Sequence, residues 1–213
     1  DIKSHIAFFF EVLGGKLSAL FDMHGVPGGL HAFMHLDDGC YFSIVQLPQV
    51  KDIESTLGIT HAGTGAGASA AGTMQHLAFK VDHEADLLNM RDRIRKFGVN
   101  VIGPIDHGMC KSIYFAGPDQ LALEVACSDG ALDAAQWVDP KVLEKAGISA
   151  DEAACYMTPD DYKGESGAVA QPAYDASKPH MPYPPEVYQQ MLQTPDDIIT
   201  AAASYADPPV QKS

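Results

Sequence analysis

The sequence predicts an α+β fold of two similar passes of helix and strand, followed by a proline-rich extension of helical and irregular character. Three observations carry this expectation. A helical run closed by glycine precedes three strand-like segments twice within the first 127 residues. The reversals between strands fall on Gly-rich, Asp-Asp-Gly or Gly-Pro sequences, which supply the backbone angles a turn needs. After Cys127 the strand signal fades, and prolines gather at Pro172, Pro179, Pro182, Pro184 and Pro185.

In the first pass, Ile2, Ile6, Phe9, Phe10 and Leu13 recur at helical spacing, and Gly14-Gly15 ends the run as a C-cap does. The segments 16–21, 29–36 and 40–47 then read as strands. In the second pass, residues 74–81 alternate as a strand, and a helix over 84–97 places Leu87, Met90, Ile94 and Phe97 on one face before Gly98. Strands are expected over 99–102, 111–115 and 121–126. The second pass thus has a strand ahead of its helix, and for the first pass such a strand is expected upstream of Asp1. The expected organisation is a first module over 1–59, a Gly/Ala-rich loop over 60–73, a second module over 74–127 and an extension over 128–213.

The loop is of the composition that stays mobile until something orders it, and its glycines neither follow a strand nor open a helix as a phosphate cradle would. In the extension, Ser149 to Glu152 matches a capping box, and Thr194-Pro195-Asp196 reads as cap, first-turn proline and acid. Tyr174, Tyr183, Tyr188 and Met191 suggest that this region packs onto the modules.

Composition bounds the partners. The chain has 213 residues, 46% hydrophobic and 20% charged, which suits packed globular structure. Its net charge of −14 opposes binding to a phosphate backbone, so nucleic acid is not an expected partner. No stretch reaches the roughly 18 apolar residues of a membrane span, and no secretory signature opens the sequence. A cytoplasmic address and a small-molecule partner follow as expectations. Cys40, Cys110, Cys127 and Cys155 form no CxxC pair and are expected to be buried free thiols.

Two residues stand out as candidate ligands. His76 opens a strand, and Glu124 lies in the last strand of the same module between Leu123 and Val125. An unpaired carboxylate buried among apolar neighbours costs several kcal/mol, and a metal ion is one partner that offsets this. An exposed-face glutamate on an alternating strand fits the spacing equally well.

The stretch from His76 to Glu124 resembles one module of the vicinal oxygen chelate superfamily, which includes glyoxalase I, fosfomycin resistance proteins, bleomycin resistance proteins and type I extradiol dioxygenases. The resemblance rests on His-Leu-Ala-Phe at 76–79, Phe97-Gly98-Val99, Asp106-His107-Gly108, Ser112-Ile113-Tyr114-Phe115, Pro118-Asp119 and Leu123-Glu124-Val125. Asp1-Ile2, Phe9-Phe10 and Val12-Leu13-Gly14 resemble the other module more weakly.

The resemblance implies two βαβββ modules curved into a cup of mixed β-sheet, with a divalent metal held by side chains on its inner face. His76 and Glu124 match two ligand positions. A further histidine ligand is expected on the strand upstream of Asp1. The segment 40–47 offers no carboxylate of the glyoxalase I kind, with Gln46 as the one possible substitute. That pattern favours two histidines and one glutamate, suited to Fe(II) or Mn(II), with Ni(II) or Zn(II) as further options. The implied activity is that of a metal-dependent vicinal oxygen chelate enzyme, most like a ring-cleaving extradiol dioxygenase. A glyoxalase-type lyase or isomerase and a metal-free binding protein of bleomycin-resistance type are the alternatives, and a homodimer is compatible with all three.

Three more residues are implicated by the same resemblance. Tyr114 stands ten residues ahead of Glu124, and His107 precedes it. His61 lies fifteen residues ahead of His76, near an acid-base histidine of the extradiol branch. Imidazoles titrating near neutrality suit proton transfer, although an aromatic in Ser-Ile-Tyr-Phe is also ordinary strand packing. The turn Gly117-Pro118-Asp119-Gln120 departs from the usual Asp-Pro-Asp-Gly. His31 and His35 share a strand face with Phe33 and are read as packing or surface residues.

Overall fold

Helix α1 (Ile2–Glu11) begins where the Asp1 carboxylate accepts the Lys3 N–H at 3.1 Å, and it buries Ile2 and Phe9. It ends two residues before the expected Leu13. Gly14, at φ 81°, turns the chain in a backbone region open to glycine. This computed structural model describes residues 1–165, 167–205 and 207–210, and they divide into two units, Asp1–Asp133 and Ala134–Ser213.

In the first unit α1 is followed by β1 (Lys16–Asp22), β2 (Leu30–Asp37) and β3 (Cys40–Gln46), an antiparallel sheet in that order. The second pass supplies β4 (Leu77–Lys80), α2 (Glu84–Lys96), β5 (Val101–Asp106), β6 (Lys111–Ala116) and β7 (Ala122–Cys127). Its sheet runs β4-β7-β6-β5, with β4 parallel to β7 and the other pairs antiparallel. A strand, a crossover helix and a parallel return place β4 beside the last strand. The expected order of elements therefore holds.

One core serves both passes. Phe9, Val12 and Met34 from the first join Leu87, Ile94, Ile113, Leu123 and Val125 from the second. The Phe9 ring lies 4.5 Å from that of Phe42 and 6.3 Å from that of Phe79, linking the passes edge to face. Arg93 of α2 adds a polar link. Its Nε donates to Val12 O at 2.9 Å, and its Nη2 donates to Glu11 O at 2.7 Å and to Phe10 O at 3.4 Å, covering the open carbonyls of α1.

Residues 60–73 are more tied down than their composition suggests. Ala70 N–H donates to Ile59 O and Gly58 N–H to His61 O, and the Gln75 side chain donates into the loop from its far end. Strand β4 starts at Leu77, three residues after the expected Met74.

The second unit contains α3 (Ala134–Trp137), α4 (Pro140–Ala146), α5 (Ala150–Met157), α6 (Pro185–Gln193) and α7 (Asp196–Ala203). The capping box at Ser149 and Glu152 is formed. Thr194 does not cap α7 as expected. Its hydroxyl donates back to Gln190 O at 2.8 Å, so it closes α6, and the Pro195 carbonyl opens α7. Tyr174, His180, Tyr183 and Tyr188 form a ring cluster inside this unit. All four cysteines are free as expected, but only Cys127 is buried, while Cys40 and Cys155 are exposed. No described helix is long and apolar enough to cross a membrane.

Candidate functional site

Strand alternation assembles the site. In β4, β6 and β7 the residues Leu77, Phe79, Ile113, Phe115, Leu123 and Val125 join the core. Their even-numbered neighbours therefore project from the opposite face. Parallel pairing sets Ala78 beside Glu124, and antiparallel pairing sets Tyr114 beside the same glutamate on its other flank. His76, immediately ahead of β4, reaches Glu124 along this face. The two ligand candidates, 48 residues apart in sequence, meet because β4 and β7 are neighbours.

His76 Nε2 and Glu124 Oε2 stand 2.8 Å apart. Glu124 is 7% exposed, so it is a buried carboxylate and not the surface residue that alternation alone allows. On the other side of the ring, His76 Nδ1 hydrogen-bonds Gln75 Oε1. The Gln75 Nε2 donates to Thr64 O at 2.9 Å and to Gly67 O at 3.0 Å.

Tyr114 and His107 form a second pair, with His107 Nε2 3.0 Å from the Tyr114 hydroxyl. Partial burial raises the Tyr114 pKa above its usual value; a hydrogen bond from Ser112 opposes the rise, and the charge of Glu124 adds to it. The phenol is thus held protonated, as an O–H donor. Ser112, fully buried on the same face and 3.7 Å from Cys110 Sγ, is a polar site residue that the sequence reading passed over. Its signal was its place two residues before Tyr114 on one strand. Gln75 was passed over too, although a polar side chain adjoining a ligand candidate is where a supporting contact belongs.

His61 is engaged elsewhere. Its Nδ1 lies 3.1 Å from Thr60 Oγ1 and 3.3 Å from Ser55 Oγ, within the loop segment. Gln46 does not stand in for a ligand: it lies on the α1 side with Phe42 and Ile44, and its Oε1 accepts the Ile2 N–H at 2.6 Å. His31 and His35 are half-buried among rings, His31 against Phe21 and Phe33 and His35 against Tyr41, which agrees with packing roles.

The resemblance implies a divalent cation, and the pair can be tested against one. Two ligand atoms each about 2.1 Å from a cation and at right angles stand about 3.0 Å apart. The observed 2.8 Å is close to that bite. An imidazole and a carboxylate also make a donor set that Fe(II), Mn(II), Ni(II) or Zn(II) accepts. The pair fits as two ligands. Among the described residues, no group of three or more His, Cys, Asp or Glu side chains is arranged around it or elsewhere.

Comparison with known proteins agrees with this architecture. Residues 1–125 match the model of the Glyoxalase/Bleomycin resistance protein/Dioxygenase superfamily. Similar solved structures include a glyoxylase/bleomycin resistance protein/dioxygenase domain from Frankia sp. EAN1pec, at 18% identity and TM-score 0.45 over 60% of this chain and 89% of that one. The fosfomycin resistance protein FosX from Listeria monocytogenes is similar at 19% identity and TM-score 0.39, over 62% and 86%. An antibiotic-binding protein from Streptomyces sp. CB03234 is similar at 20% identity and TM-score 0.41, over 61% and 88%. No curated protein matches the chain. With well over half its length matched by the family model, the chain belongs to the Glyoxalase/Bleomycin resistance protein/Dioxygenase superfamily.

Proposed function

We propose that the protein is a metal-dependent vicinal oxygen chelate enzyme, most like an extradiol dioxygenase that opens an aromatic ring bearing two adjacent hydroxyls. The observation that carries this reading is the His76–Glu124 pair, a buried carboxylate and an imidazole at ligand-like separation, with the Tyr114–His107 pair on the strand beside it. His76 Nε2 and Glu124 Oε2 would hold the cation, Fe(II) or Mn(II) in preference to Ni(II) or Zn(II). When bound, the cation would supply Lewis acidity for two vicinal oxygens and electrons for O2.

The chain's own groups do the rest. The Tyr114 hydroxyl donates to a substrate oxygen placed over Glu124, and His107 Nε2, 3.0 Å from that hydroxyl, accepts or returns a proton there. His61 remains a candidate for proton transfer, and its hydrogen bonds to Ser55 and Thr60 keep its ring in the loop that precedes His76. A glyoxalase-type lyase is less well supported, since β3 (Cys40–Gln46) carries neither Asp nor Glu. A second reading is a metal-free binding protein, because His76 Nε2 and Glu124 Oε2 stand within hydrogen-bonding distance of one another.

Reconstitution decides between the two. Wild type incubated with Fe(II), Mn(II), Ni(II) or Zn(II) is expected to retain one ion per chain by mass spectrometry. His76→Ala and Glu124→Ala are expected to retain none. Both variants should stay folded, but Glu124→Ala should melt close to or above wild type, because it removes a carboxylate held among apolar strands, while His76→Ala should melt lower, because it leaves that carboxylate without its partner. Iron-loaded wild type should consume O2 with simple catechols. If wild type retains no ion under any of these conditions, the metal-free reading replaces this one.

A further inference from the structure

Two glycines of the Gly/Ala-rich loop are required by contact and not by backbone angle. Neither Gly65 nor Gly67 has a positive φ, unlike Gly63 at 71°. A Cβ on Gly67 would meet Ala62 O, the loop's own backbone, at 2.3 Å. A Cβ on Gly65 would meet the ring of Tyr114, with Cε1 at 2.9 Å and Cδ1 at 3.1 Å. Carbon atoms pack at about 3.5–4.0 Å, so no side chain fits at 65 while ring and loop keep their places.

Both partners in this contact are held. On the loop side, Gln75 Nε2 donates to Thr64 O and Gly67 O, Gly67 N–H donates to Thr64 O at 3.1 Å, and Ala70 N–H donates to Ile59 O at 3.0 Å. Ala62, at the start of the same bend, is buried. On the strand side, Tyr114 lies between Ile102 of β5 and Glu124 of β7, and its hydroxyl stands 3.0 Å from His107 Nε2. The ring is thus fixed at its oxygen by a polar contact and along its Cδ1–Cε1 edge by bare backbone.

We infer that Gly65 is a positioning residue for Tyr114: with no side chain at 65, the loop backbone braces the ring and keeps its hydroxyl at hydrogen-bonding distance from His107. The consequence for turnover rests on the proposed function; the brace does not.

The test uses the full chain as wild type, Gly65→Ala, Tyr114→Leu, the double variant, and Ala66→Ser as a control at an exposed position of the same loop. One Hα of Gly65 points toward the ring, so in wild type its NMR signal should carry a ring-current shift that disappears in Tyr114→Leu. Gly65→Ala is expected to melt about 2–8 °C below wild type, and the same substitution in the Tyr114→Leu background should cost much less, because the ring it collides with has gone. With iron-loaded protein and a simple catechol, Gly65→Ala is expected to lower kcat by about 10-fold with little change in KM, since the brace acts on the group that moves the proton. A structural role alone would not single out kcat. Ala66→Ser should match wild type throughout. No ring-current shift in wild type, an undiminished Gly65→Ala penalty without the ring, or an equal loss in Ala66→Ser would overturn the inference. Turnover unchanged in Gly65→Ala would overturn the positioning role as well. Wild type that shows the shift and the coupling but turns over no catechol would support the brace and count only against the dioxygenase reading.

Discussion

The two passes of the first unit share a skeleton and differ in the chemistry of one face. Each has a helix packed on three consecutive antiparallel strands, and each sends Phe, Met, Ile or Leu side chains toward a common core. On the opposite face, the second pass carries Ser112, Tyr114 and Glu124, with His76 reaching in. The first pass carries His31, Phe33 and His35 opposite Val45, Ser43 and Tyr41, four rings among six side chains and no carboxylate. The fold depends on the face turned to the core. The other face is free to become a site in one pass and an aromatic wall in the other.

If the core faces are equivalent, cutting either should cost the same, and this is the largest effect expected. Met34 and Ile113 occupy the central strands of the two passes, and both are fully buried. Met34→Ala and Ile113→Ala should each lower unfolding stability by about 2–5 kcal/mol in denaturant titrations. A cost for one several times that for the other would break the equivalence.

The same asymmetry explains what could be read from sequence. The core faces repeat with periods of 3.6 and 2, so Leu87, Ile94, Leu123 and Val125 revealed their elements without help. His76 and Glu124 were visible because the chemistry of each residue is unusual at its place in a strand. Their 2.8 Å contact was not visible, because it depends on the parallel pairing of β4 with β7 across 48 residues. Gln75 and Ser112 escaped for another reason. Their roles lie in partners, Thr64 O, Gly67 O and the Tyr114 hydroxyl, that no local pattern announces. Thr194 shows the converse failure, where a correct local motif for opening a helix was outcompeted by the carbonyl of the helix before it.

A middle-sized effect tests how firmly the passes are joined. Arg93 belongs to the second pass and hydrogen-bonds three carbonyls at the end of the first pass's helix, while its guanidinium carbon lies 5.5 Å from the centre of the Phe97 ring. Arg93→Ala leaves those carbonyls to water and should cost about 1–3 kcal/mol. Arg93→Lys keeps the charge but not the planar fork, so it should recover only part of the loss. Equal stability of wild type and Arg93→Ala in a thermal melt would mean that apolar contacts alone hold the passes together.

The smallest expected effect sits at the turn leading into β7, where the second pass departs from the usual family sequence. Asp119 and Gln120 take φ of 54° and 62°, in the left-handed region that is costly for residues with a Cβ. Asp119 has a compensating contact, its Oδ2 lying 3.5 Å from His5 Nε2 on α1. Gln120 is exposed, and its position is the one where the family's turn carries glycine. Gln120→Gly should relieve the backbone without removing packing. Part of the gain is returned because glycine loosens the unfolded chain. A net stabilisation of about 0.5–1 kcal/mol is therefore expected, with metal retention unchanged, since Gln120 is an exposed residue of the turn ahead of β7. Loss of stability on this substitution would show that the Gln120 side chain supports the turn, and that the departure from the family sequence has a structural use.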